Sequence, residues 1–164
     1  MATFRFQGLE EYERQLSKLA ESGTIRAVCG ATIFAGADIF ADEIRKGINK
    51  IPVVGQWEIG TPDNPVEGIT KAQKEGLLDS FGITPMDQEN GMYNVKLGFD
   101  GYNSVKTVAY PQGQPNSLIA RAVNSGTSFR KKIPFINKAI KAAKAPAEKA
   151  MAETFDKKLQ EAMK

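Results

Sequence analysis

The sequence predicts an α+β fold: N-terminal helices, a small antiparallel sheet with a hairpin, and a long C-terminal helix. Three observations predict it. Apolar residues recur at three- and four-residue spacings through the first 49 positions. Short alternating segments broken by Gly, Pro and Asp-Gly fill the middle. An apolar row at helical spacing then runs from Phe135 to Met163. The chain is organised as a single domain over residues 1–164, with a long loop at 50–70 and a C-terminal helix at 134–163.

Phe4 and Phe6 alternate with polar neighbours and predict a short strand, which Gly8 ends. Leu9, Tyr12, Leu16 and Leu19 form one stripe of a helix over 9–20, and Ser22-Gly23 is expected to break it. A second helix is predicted over 24–49, with Thr24 as N-cap and a stripe of Cys29, Ile33, Ala37, Phe40, Ile44 and Ile48. Its Gly30, Ala31, Ala35, Gly36 and Ala41 leave room for the close approach of another helix, from the same chain or from a neighbouring subunit.

Residues 50–70 hold three prolines and three glycines and read as a loop. Trp57, flanked by Val53, Val54 and Ile59, either folds back on the core or docks on a partner. A short helix follows over 71–78. Residues 92–99 read as a strand, Asp100-Gly101 as a hairpin turn, and 105–110 as the return strand. A helix over 117–124 comes next, then a basic extended segment, Phe129-Arg130-Lys131-Lys132-Ile133. Pro134 suits the first turn of the last helix, and Pro146 predicts a kink or a new start within it. The apolar row of that helix is Ile136, Ile140, Ala143, Ala147, Met151, Phe155, Leu159 and Met163.

Composition excludes several chemistries. The 164 residues contain no histidine and one cysteine, Cys29. Neither a Cys/His metal cluster nor a histidine-based nucleophilic triad or dyad can be built from them. No phosphate-cradling Gly-Lys-Ser/Thr loop is present. Asp38 and Asp42 share a helix face, but Lys46 lies four residues beyond Asp42 and predicts an ordinary surface ion pair. Cys29 sits among small apolar residues without an activating base and reads as a buried structural thiol. The expectation is a protein that is not an enzyme, with no catalytic, cofactor-binding or metal-binding residues. No run of about 20 apolar residues or apolar signal core was evident, so neither a membrane partner nor export is expected.

Charge is unevenly distributed along the chain. Residues 1–100 carry 10 basic and 15 acidic side chains, and residues 101–164 carry 12 and 4. Arg121, Arg130, Lys131, Lys132, Lys138, Lys141 and Lys144 make the last third basic. Such a run either solvates a helix face, meets an acidic partner surface, or contacts DNA without sequence preference. A nucleic-acid-binding accessory protein is therefore one functional reading.

Several strings are more specific. They are Leu77-Leu78-Asp79-Ser80-Phe81-Gly82-Ile83, the segment from Tyr93 to Asn103, Tyr110-Pro111-Gln112-Gly113-Gln114-Pro115-Asn116, and the segment from Leu118 to Ser128. In order and spacing they resemble a family of tailed-bacteriophage morphogenesis proteins, the neck or tail-completion components of the head–tail connector. The opening Phe6-Gln7-Gly8-Leu9-Glu10-Glu11-Tyr12 and the alanine-rich last helix fit the same resemblance. The chain departs from it at Asn124 and at Lys74-Glu75.

The resemblance implies a non-enzymatic virion protein of the neck, made in the host bacterial cytoplasm and assembled as a ring around the DNA channel. Its partners would be further copies of itself, a portal-side connector or head-completion protein, and a tail terminator or tail tube protein. DNA would pass it non-specifically. In such a ring the 50–70 loop and the basic segment are the natural arms for contact, through Trp57, Ile59, Phe129, Arg130, Lys131 and Lys132. Lys138, Lys141 and Lys144 would face the DNA lumen or an acidic partner.

Overall fold

The computed structural model describes residues 14–15, 17, 19–20, 22–56, 58 and 60–163. The predicted strand at 3–7, most of the helix at 9–20, Trp57 and Ile59 lie outside these. Arg14, Gln15, Ser17, Leu19 and Ala20 are helical. The fold is α+β, and 56% of the described residues are helical.

Two long helices form its frame. Helix α1 is Ser22–Asn49 and helix α4, the last, is Phe135–Met163. They run antiparallel. Gly47, near the end of α1, packs on Phe135, and Gly36 packs on Met151. Gly23 and Thr24 lie beside Lys158 and Ala162. The contact is built from small residues. Ala37, Ala41, Ala139, Ala143 and Ala147 are all buried. A Cβ on Gly36 would stand 2.6 Å from the Met151 sulfur. Small side chains let the two backbones approach closely, and alanine is also the best helix former, so packing and local preference agree.

The structure alters several details of the helices. Ser22-Gly23 does not break the chain but belongs to α1. Glycine costs about 1 kcal/mol in a helix, and the 28-residue helix carries that cost in its first turn. The buried stripe of α1 is Val28, Ala37, Ala41, Ile44 and Ile48, while Cys29, Ile33 and Phe40 are only half-buried. In α4 the stripe is Phe135, Ala139, Ala143 and Ala147, and Ile140 and Phe155 face outward. The smaller residues win the inner face because α1 comes too close for isoleucine. Pro146 starts no new helix. It is exposed, and so is Ala142, whose carbonyl loses its intrahelical donor, so water can serve that carbonyl. Pro134 lies just before the helix, its carbonyl accepting from the Lys138 amide at 3.0 Å.

Segment Gly23–Asn49 is also long and apolar enough to cross a membrane by length and composition alone. This corrects the expectation that no such run exists. In this fold the helix supplies Ala41, Ile44 and Ile48 to the core.

The middle of the chain folds against the C-terminal half of α1. Strand β1 (Val53–Val54) pairs in parallel with β2 (Ile69–Thr70), so the ends of the 50–70 loop close on each other. Helix α2 (Lys71–Ser80) starts from a capping box. The Thr70 hydroxyl accepts from the Gln73 amide at 3.2 Å, and the Gln73 side chain accepts from the Thr70 amide at 3.1 Å. Strand β3 (Phe81–Ile83) pairs antiparallel with β6 (Leu97–Phe99), and β4 (Asp87–Glu89) with β5 (Met92–Asn94). Helix α3 (Asn116–Ser125) then leads to the basic segment.

The hairpin lies elsewhere than predicted. It turns at Asn90-Gly91, where φ is 52° and 79°. Both central residues of a type I′ turn need positive φ, which Asn-Gly supplies. The predicted 92–99 strand is split between two partners, and 105–110 is not a strand. That stretch is held by turns instead. Thr107 and Tyr110 exchange backbone hydrogen bonds, and the Asn103 side chain accepts from the Val105 amide at 2.9 Å. The Asn116 side-chain amide donates to the Asp100 carbonyl at 3.0 Å.

Ile48, Ile51, Ile69, Leu77 and Val123 are the largest fully buried side chains, and each contributes about 1.5–3 kcal/mol of transfer free energy. Phe81, Phe99 and Phe135 join the sheet to α4, with ring centroids 5.0 and 6.4 Å apart. Arg45 lies 5.4 Å from the Phe81 ring centroid.

Candidate functional site

The 50–70 loop and the basic segment, predicted as separate arms, are bound to each other. The Val66 amide donates to the Phe129 carbonyl at 3.0 Å, and the Lys131 amide donates to the Val66 carbonyl at 2.9 Å. The Arg130 guanidinium donates to the Gly68 carbonyl. The Lys131 ammonium meets Glu67 at 3.1 Å. Gly60 makes the closeness feasible, because a Cβ there would collide with the Phe129 carbonyl. Thr127 and Arg130 close a tight turn that aims the segment at the loop.

Between these parts, the start of α2 and the 104–107 turn lies a cleft of about 890 Å³. Val54, Val66, Val105 and Phe129 give it apolar walls, and Phe129 is 56% exposed. At its floor Gln73 is buried and donates to the Gln114 side chain at 2.7 Å. Arg130 lines it half-buried, and this burial lowers the guanidinium pKa. No carboxylate pairs with Arg130 among the described residues. Lys106 lines the same cleft, also without an ion pair there. Of the two acidic residues on the cleft, Glu75 pairs with Lys71 at 3.8 Å and Glu58 has no described ion pair. The cleft can hold an apolar group beside an anion.

A second feature is the outer face of α4. Lys138, Lys141 and Lys144 are exposed and make no ion pair among the described residues. At about 100° per residue they span an arc of about 120°, centred opposite the buried Phe135–Ala147 stripe. The later lysines differ: Lys149 pairs with Glu153 at 3.8 Å and Lys158 with Glu161 at 2.7 Å. Lys132 is exposed, its backbone packed beside Gly126.

Of the predicted contact residues, the structure therefore brings Phe129 and Arg130 to the cleft, ties Lys131 to the loop, and leaves the three α4 lysines on a separate face. Lys106, Gln73 and Gln114 are cleft residues that pattern reading does not single out. Gln73 has a local signal, the Thr-x-x-Gln capping box. The other two have none, since Gln114 meets Gln73 across 41 positions.

The other candidates resolve simply. Cys29 is a free thiol, half-buried rather than buried. Asp42 pairs with Arg45 at 3.6 Å, not with Lys46, which instead meets Glu43 at 2.7 Å. The hydrogen bond and charge of Glu43 raise the Lys46 pKa. Among the described residues, no three Cys, Asp or Glu side chains gather as a metal-binding group. No protein-family model matches the chain, and no curated protein or solved structure is significantly similar to it.

Proposed function

We propose that the chain is a non-enzymatic component of a tailed-phage neck. It forms a ring around the DNA channel and joins the portal-side connector to the tail terminator or tail tube. The observation that carries this reading is the unpaired arc of Lys138, Lys141 and Lys144 on α4, facing away from the helix pair that holds it. A channel for passing DNA needs phosphate attraction that is indifferent to sequence and screened by salt. Three lysines on one rigid face supply that. The resemblance of the Tyr93–Asn103 and Leu118–Ser128 segments to neck proteins points the same way.

The second reading, an accessory nucleic-acid-binding protein, is favoured by the same lysine arc. Particle composition separates the two. Mass spectrometry of purified particles should find the chain at ring copy number, and its deletion should leave filled heads and free tails. Infectious particles that lack the chain, together with salt-sensitive binding of free chain to duplex DNA, would favour the accessory role instead.

A further inference from the structure

Two exposed features of opposite charge lack a partner within the chain. One is the β4–β5 hairpin. Asp87, Gln88 and Glu89 are exposed along β4, and Met92 is 68% exposed just past the turn. Neither Asp87 nor Glu89 has an ion pair among the described residues, and positions 87–94 hold no basic residue. The other is the cleft, where Arg130 and Lys106 outnumber the one acid without a described ion pair, Glu58, beside the exposed ring of Phe129.

These features cannot meet inside one molecule. Met86, at the root of the hairpin, packs beside Gly30 of α1. The cleft lies at the other end of that helix, where the Lys74 ammonium donates to the Asn49 and Ile51 carbonyls at 2.7 and 2.9 Å. At 1.5 Å per residue the separation along α1 is about 28 Å.

We propose that the acidic hairpin of one copy docks in the cleft of a second copy, with Asp87 and Glu89 toward Arg130 and Lys106 and Met92 against Phe129. The charges are complementary, and each copy carries both halves of the contact at different ends. Such a contact is heterologous, so it repeats head to tail and closes into a ring when its rotation permits. A reciprocal two-fold dimer would use both halves as well, and it differs from a ring by stopping at two copies. The proposal rests on the ring reading above and names the surface that builds the ring. It leaves the α4 lysine arc free to face the channel.

Disulfide trapping tests it on the whole chain. In a Cys29→Ser background, Met92→Cys with Phe129→Cys should give a ladder of covalent dimers, trimers and higher species under mild oxidation. Met92→Cys alone, with no thiol opposite it, should stay largely monomeric. Independently, Asp87→Lys with Glu89→Lys should reduce assembly at least tenfold, and adding Lys106→Glu should restore much of it. Lys106 is exposed, so this rescue leaves the Arg130–Gly68 bond intact. Circular dichroism should show all variants folded, since every altered side chain except Cys29 is exposed. Assembly of the wild type without a ladder from the double-cysteine variant would overturn the contact and leave the ring reading standing. A wild-type chain that neither oligomerises nor enters particles would overturn both.

Discussion

The helix pair and the 51–133 segment are held together by different physics. Helices α1 and α4 join along a face of Gly and Ala, with Ala41, Ala143 and Ala147 at most 1% exposed. The middle segment has strands of only two or three residues. It relies on Ile51, Ile69, Leu77 and Val123 for burial, and on capping, side-chain amides and backbone bridges for shape. The rod thus provides a rigid frame, while the middle provides shaped surface. Both candidate contact surfaces follow this division: the lysine arc needs a straight helix, and the cleft needs irregular backbone.

Substitutions that break one region and spare the other sharpen the comparison. The largest effect belongs to the rod. Ala143→Asp puts a charge into a fully buried position between two close helices and should cost about 3 kcal/mol or more. Thermal unfolding followed by circular dichroism should show a drop of about 10 °C. The exposed neighbour change Ala142→Asp should cost no more than about 1 kcal/mol.

Next comes the seam between the loop and the basic segment. Gly60→Ala forces a methyl group into the Phe129 carbonyl and should cost about 1–3 kcal/mol. Hydrogen exchange should show protection lost at the Val66 and Lys131 amides and kept along α1 and α4. Thr70→Ala removes the capping box of α2 and should cost about 1 kcal/mol in denaturant unfolding. The smallest effect on stability belongs to the lysine arc. Replacing Lys138, Lys141 and Lys144 together with Gln should shift stability by less than about 1 kcal/mol. The same change should flatten the salt dependence of duplex DNA binding by up to about three in log–log slope.

Periodicity made the fold class and the places of the long helices legible, because long amphipathic segments repeat their signal. It placed Ile136, Ala143 and Ala147 of α4 on the packed side, as found, and misplaced Ile140 and Phe155. Hydropathy alone ranks Ile140 above Ala139, and only the nearness of α1 reverses that order. The hairpin had a strong local signal, Asn90-Gly91, but Asp100-Gly101 carries a similar one ten residues later. What decides between them is the pinning of 100–116, by the Asn116 side-chain amide on the Asp100 carbonyl and the Asn103 backbone amide on the Gln114 carbonyl, a tertiary fact. The cleft was not legible. Its parts come from positions 54 to 130, and Gln73, Gln114 and Arg130 meet their partners across 41 and 62 positions. The lysines of α4 were legible as a basic run. Which of them are paired was not: Lys149 and Lys158 meet a nearby glutamate, while Lys144, with Glu148 four residues on, makes no ion pair among the described residues.

A reconstruction of the particle neck by electron cryo-microscopy tests the central claim most directly. The density should show a closed ring of this chain with Lys138, Lys141 and Lys144 lining the channel that holds the DNA. Density for the neck complete without this chain, or a ring with α4 turned away from the channel, would contradict it.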